Sequence, residues 1–184
     1  VTITNTAGAF DAAMAEHVFA LLLSLTRGMG AYHDLQRKRG WSRDVPVYQL
    51  AGKTMGVLGL GSIGRAVAVR AKAFGMRAIA LDAQVTSPPE GVDAVFGPDR
   101  METVFRESDA VVVALPLTER TKGLVNRERL RMMKRTAYVI NIARGPIVAE
   151  ADLIEALRNG WIAGAGLDVF EQEPLPEGSP LWDM

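Results

Sequence analysis

The sequence predicts an α/β fold, a doubly wound parallel sheet with helices on both faces, and three observations carry that reading. Residues 55–58, 78–81, 110–115, 137–142 and 162–167 are short apolar runs without polar alternation, the pattern of strands buried on both faces. Stretches at helical spacing separate them, as parallel crossovers require. Residues 54–82 then read as one unit: strand, glycine-rich turn, helix, second strand, and a carboxylate, Asp82, at its end.

The elements follow in chain order. Residues 1–5 alternate like a short strand and Thr6-Ala7-Gly8 makes a turn. Asp11 is expected to N-cap a helix running to about Arg27. Met14, Val18, Leu21, Leu22 and Leu25 form one apolar stripe there, and Ala15, Phe19 and Leu23 widen it. A surface helix of a monomer would show a polar face, so this helix is expected to pack both on its own domain and at a subunit interface. The pattern leaves full burial inside one large domain open as the alternative. Residues 27–48 are polar and basic, with Gly28, Gly30 and Gly40, and read as an extended arm anchored by Trp41. Its charge run, Arg37-Lys38-Arg39, reads as a solvated face.

Beyond the glycine-rich turn, Ile63, Ala66, Val67, Arg70, Ala71 and Phe74 fall at helical spacing, and Gly75 stands where a helix C-terminus favours glycine. After Asp82 come a Pro-containing loop, a short edge strand at 94–96, and a helix from Asp99 as cap to about Glu107. Pro116 stops the strand that starts at Ala110. Asn126 is expected to cap a short helix with Leu130 and Met133, and a helix from Glu150 to Asn159 ends at Gly160.

Composition narrows the function classes. Among 184 residues, 21 Lys and Arg balance 21 Asp and Glu, so bulk charge points to neither nucleic acid nor a membrane surface. There is no cysteine and there are two histidines, His17 and His33, so no metal site is expected. The longest apolar stretch, residues 18–23, is far short of the roughly 20 residues a bilayer span needs. With no basic leader at the start, the expected location is cytoplasmic.

Gly59-Leu60-Gly61-Ser62-Ile63-Gly64 fits G-x-G-x-x-G, and each glycine has a physical job. Gly59 turns the strand sharply into the helix, Gly61 lets a pyrophosphate approach the bare main chain, and Gly64 lets helix and strand pack closely. Free N–H groups at the helix start face the phosphates, aided by the helix dipole. Asp82 can accept from the adenosine ribose hydroxyls and repel the extra phosphate of NADP, so NAD is the expected cofactor. The glycine pattern alone could be a tight turn, and Asp82 alone a solvated strand end; together, at this spacing, they favour the cofactor site.

Ligands of open parallel sheets lie across the C-terminal ends of the strands. Those ends carry Leu115-Pro116, Ile142-Ala143-Arg144-Gly145 and Leu167-Asp168. Arg144 can hold a substrate carboxylate through paired charge-assisted bonds, or can simply pair with a neighbouring loop. Asp168 can bond a nicotinamide carboxamide or cap a turn.

Four stretches in order, the glycine turn, Leu115-Pro116-Leu117-Thr118 with Thr121, Asn141 through Val148, and Gly166 through Pro174, resemble the successive signatures of the NAD-dependent D-2-hydroxyacid dehydrogenases. The resemblance implies a Rossmann domain at residues 11–184, whose first part, about 11–48, is the interface helix and arm through which a homodimer is expected. It makes residues 1–10 a hinge from a separate substrate domain that the chain lacks, along with the last strand of the sheet. It implies that Ser62 and Ile63 present main-chain donors to the pyrophosphate and Asp82 takes the ribose. Leu115, Pro116 and Thr121 would line the adenosine side, and Ile142, Ala143 and Asp168 the nicotinamide. Arg144 matches the arginine that binds and polarises a 2-oxo acid. Glu173 matches the glutamate that orients a catalytic histidine, and its being Glu argues against the formate dehydrogenase branch. That histidine would lie past Met184, and neither His17 nor His33 matches it, so this chain is expected to bind NAD(H) without turning over substrate. Ala149 departs from the family's usual Asp cap. A second reading of another class is a dinucleotide-sensing dimeric module like the co-repressors that resemble this family.

Overall fold

The computed structural model describes residues 8–184, so the strand expected at 1–5 and most of the hinge expected at 1–10 lie outside the described residues. The first two helices are α1 (Asp11–Thr26) and α2 (Met29–Arg37). The strands are β1 (Thr54–Leu58), β2 (Arg77–Leu81), β3 (Ala94–Phe96), β4 (Ala110–Val113), β5 (Tyr138–Asn141) and β6 (Gly164–Leu167). Between them lie α3 (Ser62–Ala73), α4 (Met101–Glu107), α5 (Arg127–Met132) and α6 (Glu150–Arg158).

All six strands pair in parallel, in the order β3-β2-β1-β4-β5-β6. The order reverses beside β1, at β1 and β4, and such a switch point opens the crevice where doubly wound sheets bind dinucleotides. No strand follows β6 among the described residues. The central strands β1, β4 and β5 are buried almost throughout, which is why they read as unbroken apolar runs. Two buried clusters lie on opposite faces. One joins α1 and α3 to the sheet through Val18, Phe19, Leu22, Val67 and Ala71. The other joins α4, α5 and α6 through Phe105, Leu130, Leu153 and Ala156.

Several expectations change in detail. Asp11 is the first residue of α1 rather than its cap; Phe10 occupies that place, and the Asp11 carboxylate instead accepts from the Ser62 hydroxyl at 2.8 Å. The stripe of α1 packs on its own domain, as expected: Val18 and Leu22 are fully buried and Phe19 stacks on Phe74 with centroids 4.8 Å apart. Its outward face is small and polar, with Ala12, Ala13, Glu16, Ala20 and Ser24 exposed. The expected extended arm contains a helix, α2. Gly28, left-handed at φ 63, ends α1, but between it and Gly40 lie Ala31, Leu35, Gln36 and Arg37, all good helix formers. Trp41 is no anchor within the chain, being 89% exposed. Arg37, Lys38 and Arg39 are exposed, as read.

Asp99 sits in a single 3-10 turn begun by Pro98, and α4 starts only at Met101 with no side-chain cap. β4 ends at Val113, where its partner β1 ends at Leu58, so Ala114 and Leu115 belong to the crevice loop. Asn126 caps α5 as expected, accepting from the Arg129 N–H.

Candidate cofactor site

The glycines of the first turn divide by what each position demands. Gly59 has φ 97, and an added Cβ would lie 2.8 Å from the Ala114 carbonyl oxygen. A Cβ on Gly64 would lie 1.9 Å from the Gly59 carbonyl oxygen, so helix and turn touch backbone to backbone. The fold itself requires both. A Cβ on Gly61 would meet no protein atom within 4 Å, so nothing in the chain's own packing calls for glycine there. What the bare main chain leaves open is room for a ligand.

That room lies over unspent donors. Gly61 ends extended and offers α3 no side-chain cap. The first main-chain bond of α3 runs from the Arg65 N–H to the Gly61 carbonyl at 3.0 Å, so the N–H groups of Ser62, Ile63 and Gly64 have no carbonyl behind them. They and the helix dipole form an anion cradle at the switch point.

Asp82 fastens this turn to the end of β2. Its Oδ2 accepts from the Leu60 N–H at 2.8 Å, and its Oδ1 from Gln84 and Val85 at 2.8 and 3.0 Å. Partial burial alone would push the carboxyl up, but these three donors, with the nearby Arg65 guanidinium, outweigh it and hold the group below the usual Asp value. Arg65 itself donates from Nε to the Leu60 carbonyl at 2.9 Å, so a cation and an anion share the β2 end of the crevice. Each carboxylate oxygen can take further donors, so Asp82 keeps acceptor capacity for a ligand.

Across the turn, Ile63, Leu115, Pro116, Ile142, Ala143 and Arg144 line one cleft of about 420 Å³, bringing six of the expected site residues together. Thr121 acts on the loop instead of lining the cleft. Its hydroxyl donates to the Pro116 carbonyl at 2.7 Å and accepts from the Thr118 N–H at 2.8 Å, which fixes the chain after β4. Arg144 is exposed, and among the described residues its side chain bonds only the Ala143 carbonyl, at 2.7 Å. No carboxylate pairs with it among the described residues. Glu173 is exposed and accepts from the Phe170 N–H at 3.0 Å. Asp168, at the end of β6, lies 3.1 Å from His17 Nε2, so α1 reaches the crevice through a histidine that no motif places there.

Other supports also escape a reading of the sequence. Asn141, 1% exposed at the end of β5, accepts from the Ala143 N–H and donates to the Arg144 carbonyl, shaping the turn that presents Arg144. A lone amide inside an apolar run is its only signal. A Cβ on Gly145 would lie 1.8 Å from the Phe170 carbonyl oxygen, so the loop bearing Glu173 lies directly on the Arg144 turn. Glu171 accepts from the Glu150 N–H at 2.9 Å while Glu150 accepts from the Glu171 N–H at 3.2 Å. That reciprocal pair supplies the start of α6 with the acceptor Ala149 cannot offer.

An anion cradle, a carboxylate at the end of β2 and a cleft at the switch point of a doubly wound sheet are the parts of a dinucleotide-binding domain. The profile of the D-isomer specific 2-hydroxyacid dehydrogenase NAD binding domain matches residues 19–184. This chain belongs to that family. It is 44% identical over 183 residues to a glyoxylate reductase of Pyrococcus furiosus, covering 95% of this chain and 54% of the relative. It is 38% identical to a glycerate dehydrogenase of Methylorubrum extorquens, covering 58% of that protein. The chain thus spans about half the length of the curated relatives it matches. Among solved structures, a D-isomer specific 2-hydroxyacid dehydrogenase of Xanthobacter autotrophicus, in complex with NADPH and MES, matches all of this chain and 76% of its own, with TM-score 0.88 and 41% identity. A phosphoglycerate dehydrogenase of Lactobacillus plantarum matches all of this chain and 59% of its own, with TM-score 0.90 and 34% identity.

Proposed function

We propose that this chain is the cofactor platform of a D-2-hydroxyacid dehydrogenase that prefers NAD(H) and interconverts short 2-oxo and 2-hydroxy acids in the cytoplasm. The observation that carries the reading is Gly61, a glycine with open space before it at the head of a helix whose first donors are free. When bound, the nicotinamide supplies or accepts the hydride. The chain's own residues do the rest. Ser62 and Ile63 hold the pyrophosphate by main-chain N–H groups, and Ile142 and Ala143 present an apolar wall at the nicotinamide end. Asp168 orients the carboxamide. Arg144, exposed and without a carboxylate partner, binds the substrate carboxylate and polarises its carbonyl. Glu173 keeps a free oxygen beside the one that caps Phe170, available to orient a histidine outside these 184 residues. Reduction needs a proton as well as a hydride. With His17 tied to Asp168, this chain alone binds cofactor and does not turn over.

Asp82 favours NAD over NADP by charge, and Arg65 beside it tempers that preference. The names of the relatives, glyoxylate reductase and glycerate dehydrogenase, favour small substrates and favour an enzyme over a dimeric sensing module. Phe10, Met29, Tyr32, Trp41, Val47 and Tyr48, all exposed, concentrate apolar surface between residues 10 and 48, which supports a homodimer joined there.

The test compares Gly61→Ala with the unaltered chain by calorimetry and thermal melting. NADH affinity should fall tenfold or more while the melting temperature stays within about 2 °C, because the new methyl meets only ligand. An unaltered chain that melts cooperatively but takes up no NADH would end the proposal. Reduction of glyoxylate by the 184-residue chain alone would overturn the claim of inactivity.

A further inference from the structure

At the opposite end of the sheet from the crevice, a second hollow of about 140 Å³ opens beside the starts of β4 and β5. Its floor is apolar, made by Leu22 of α1, Leu50, Met76 and Ala110, all buried. Tyr138, the first residue of β5, is 8% exposed, and its ring lies flat on β6, where a Cβ on Gly164 would come within 3.3 Å of two ring carbons. Tyr138 lines the hollow, and its hydroxyl makes no hydrogen bond among the described residues while staying open to the hollow's solvent. Open to solvent and without a protein partner, that hydroxyl can donate to a ligand in place of water.

The charges around the hollow say what would take it. Lys53 lines it and pairs with no carboxylate among the described residues, and Tyr48 adds a second phenol. Asp109 is the one carboxylate in the lining, and its charge is already paired. Its Oδ2 accepts from the Thr54 N–H at 2.9 Å and its Oδ1 pairs with Lys134 Nζ at 3.0 Å. Lys134 lies outside the lining, so within it one cation, Lys53, stands beside one carboxylate that is already paired. What remains unpaired above the apolar floor is the donor capacity of Lys53 and the Tyr138 hydroxyl. Burial, with Tyr48 adding to it, pushes the Tyr138 phenol above its usual value, so it stays protonated and able to donate across the physiological range.

We propose that this hollow is a second small-molecule site, built for a small monocarboxylate with a compact apolar body. The apolar body fills the space between Leu22, Met76 and Ala110, and the carboxylate accepts from Tyr138 and pairs with Lys53. A volume near 140 Å³ matches the size of cavity, about 150 Å³, that accepts a single benzene ring. β4 and β5 run from this hollow to the crevice, each four residues and so on the order of 13 Å long, and the two sites are therefore separate.

Benzoate, which has no 2-oxo group to reduce, is the probe. Titrated into the 184-residue chain, it should bind one to one and shift amide signals of Leu22, Ala110 and Tyr138 but not of Gly61, with NADH affinity unaltered. Acetate, with the same head and no body, should bind at least tenfold more weakly. Tyr138→Phe, which removes one oxygen and keeps the packing, should weaken benzoate tenfold or more. Lys53→Gln, at an exposed position, should weaken it several-fold and keeps the test open if the first variant folds poorly. Absence of saturable binding at tens of millimolar, equal affinity in both variants, or displacement of benzoate by NADH would each overturn the site.

Discussion

The two halves of the crevice are held by different means. On the adenosine side the chain's own main chain does the holding: three N–H groups converge on Asp82, and Gly64 packs against the Gly59 carbonyl with no room for a methyl. On the substrate side the turns are fastened, by Asn141 beneath Arg144 and by Gly145 beneath Phe170, but the side chains they present are unspent. Arg144 touches only its neighbour's carbonyl, and Glu173 caps one N–H with one of two oxygens. A cofactor cradle formed from one β-α-β unit can be preorganised by that unit alone. A reacting centre assembled from loop ends keeps its charges free for groups that arrive from elsewhere.

Substituting the two close-approach glycines probes this difference most strongly. Gly64→Ala drives a methyl into a carbonyl between two rigid elements, and neither can retreat. We expect a cost of about 3 kcal/mol and a melting temperature lower by roughly 10 °C. Gly145→Ala creates an equally close clash, but with an exposed loop that can move outward. Its melting temperature should fall by less than half as much, while amide exchange at Phe170 and Glu171 quickens. A larger loss for Gly145→Ala than for Gly64→Ala would mean the substrate side is the stiffer half.

The same difference governs how much is legible in the sequence. The unit from Thr54 to Asp82 is local: its strand, turn, helix and acid are adjacent in sequence, and each residue type has one physical reason to be there. The strands behind it are legible because burial on both faces leaves them almost no polar residue. The segment from 29 to 37 misleads because its flanking glycines are strong breakers, while its helix formers are individually weak signals. The supports of Arg144 and Glu173 are hidden for another reason. Glu171 and Glu150 are 21 residues apart, and His17 and Asp168 are 151 apart, so only the fold brings them together.

A smaller effect tests the charge at the ribose end. Asp82→Asn keeps the shape of the side chain but turns one acceptor into a donor facing main-chain N–H groups. Losing about one charge-assisted bond should lower the melting temperature by roughly 5 °C at neutral pH. NADH affinity should weaken and the preference over NADPH narrow. The stability gap between the two proteins should depend on pH with a definite sign. A carboxyl held below its unfolded value contributes fully above that unfolded value, about 3.9, and its contribution fades as pH falls through the lowered folded value. Denaturant midpoints measured from neutral pH down into strong acid should therefore converge at the acid end. A gap that persists there would show that the loss is one of shape and not of charge.

The smallest expected effect lies at the seam between α6 and the Glu173 loop. Glu171→Gln keeps an oxygen for the Glu150 N–H but removes the charge that favours a helix start, and so tests whether that reciprocal pair holds the loop by charge or by geometry. Because the pair is exposed, the loss should be about 0.5 kcal/mol, a fall of roughly 2 °C in melting temperature. Glu171→Ala removes the acceptor as well and should about double that fall, the ordinary cost of an emptied cap. In both variants NADH affinity should stay within twofold, because no tie of the adenosine half runs through Glu171. A tenfold loss of NADH affinity in Glu171→Ala would mean the two halves are coupled through α6, and the independence of the cradle would fail.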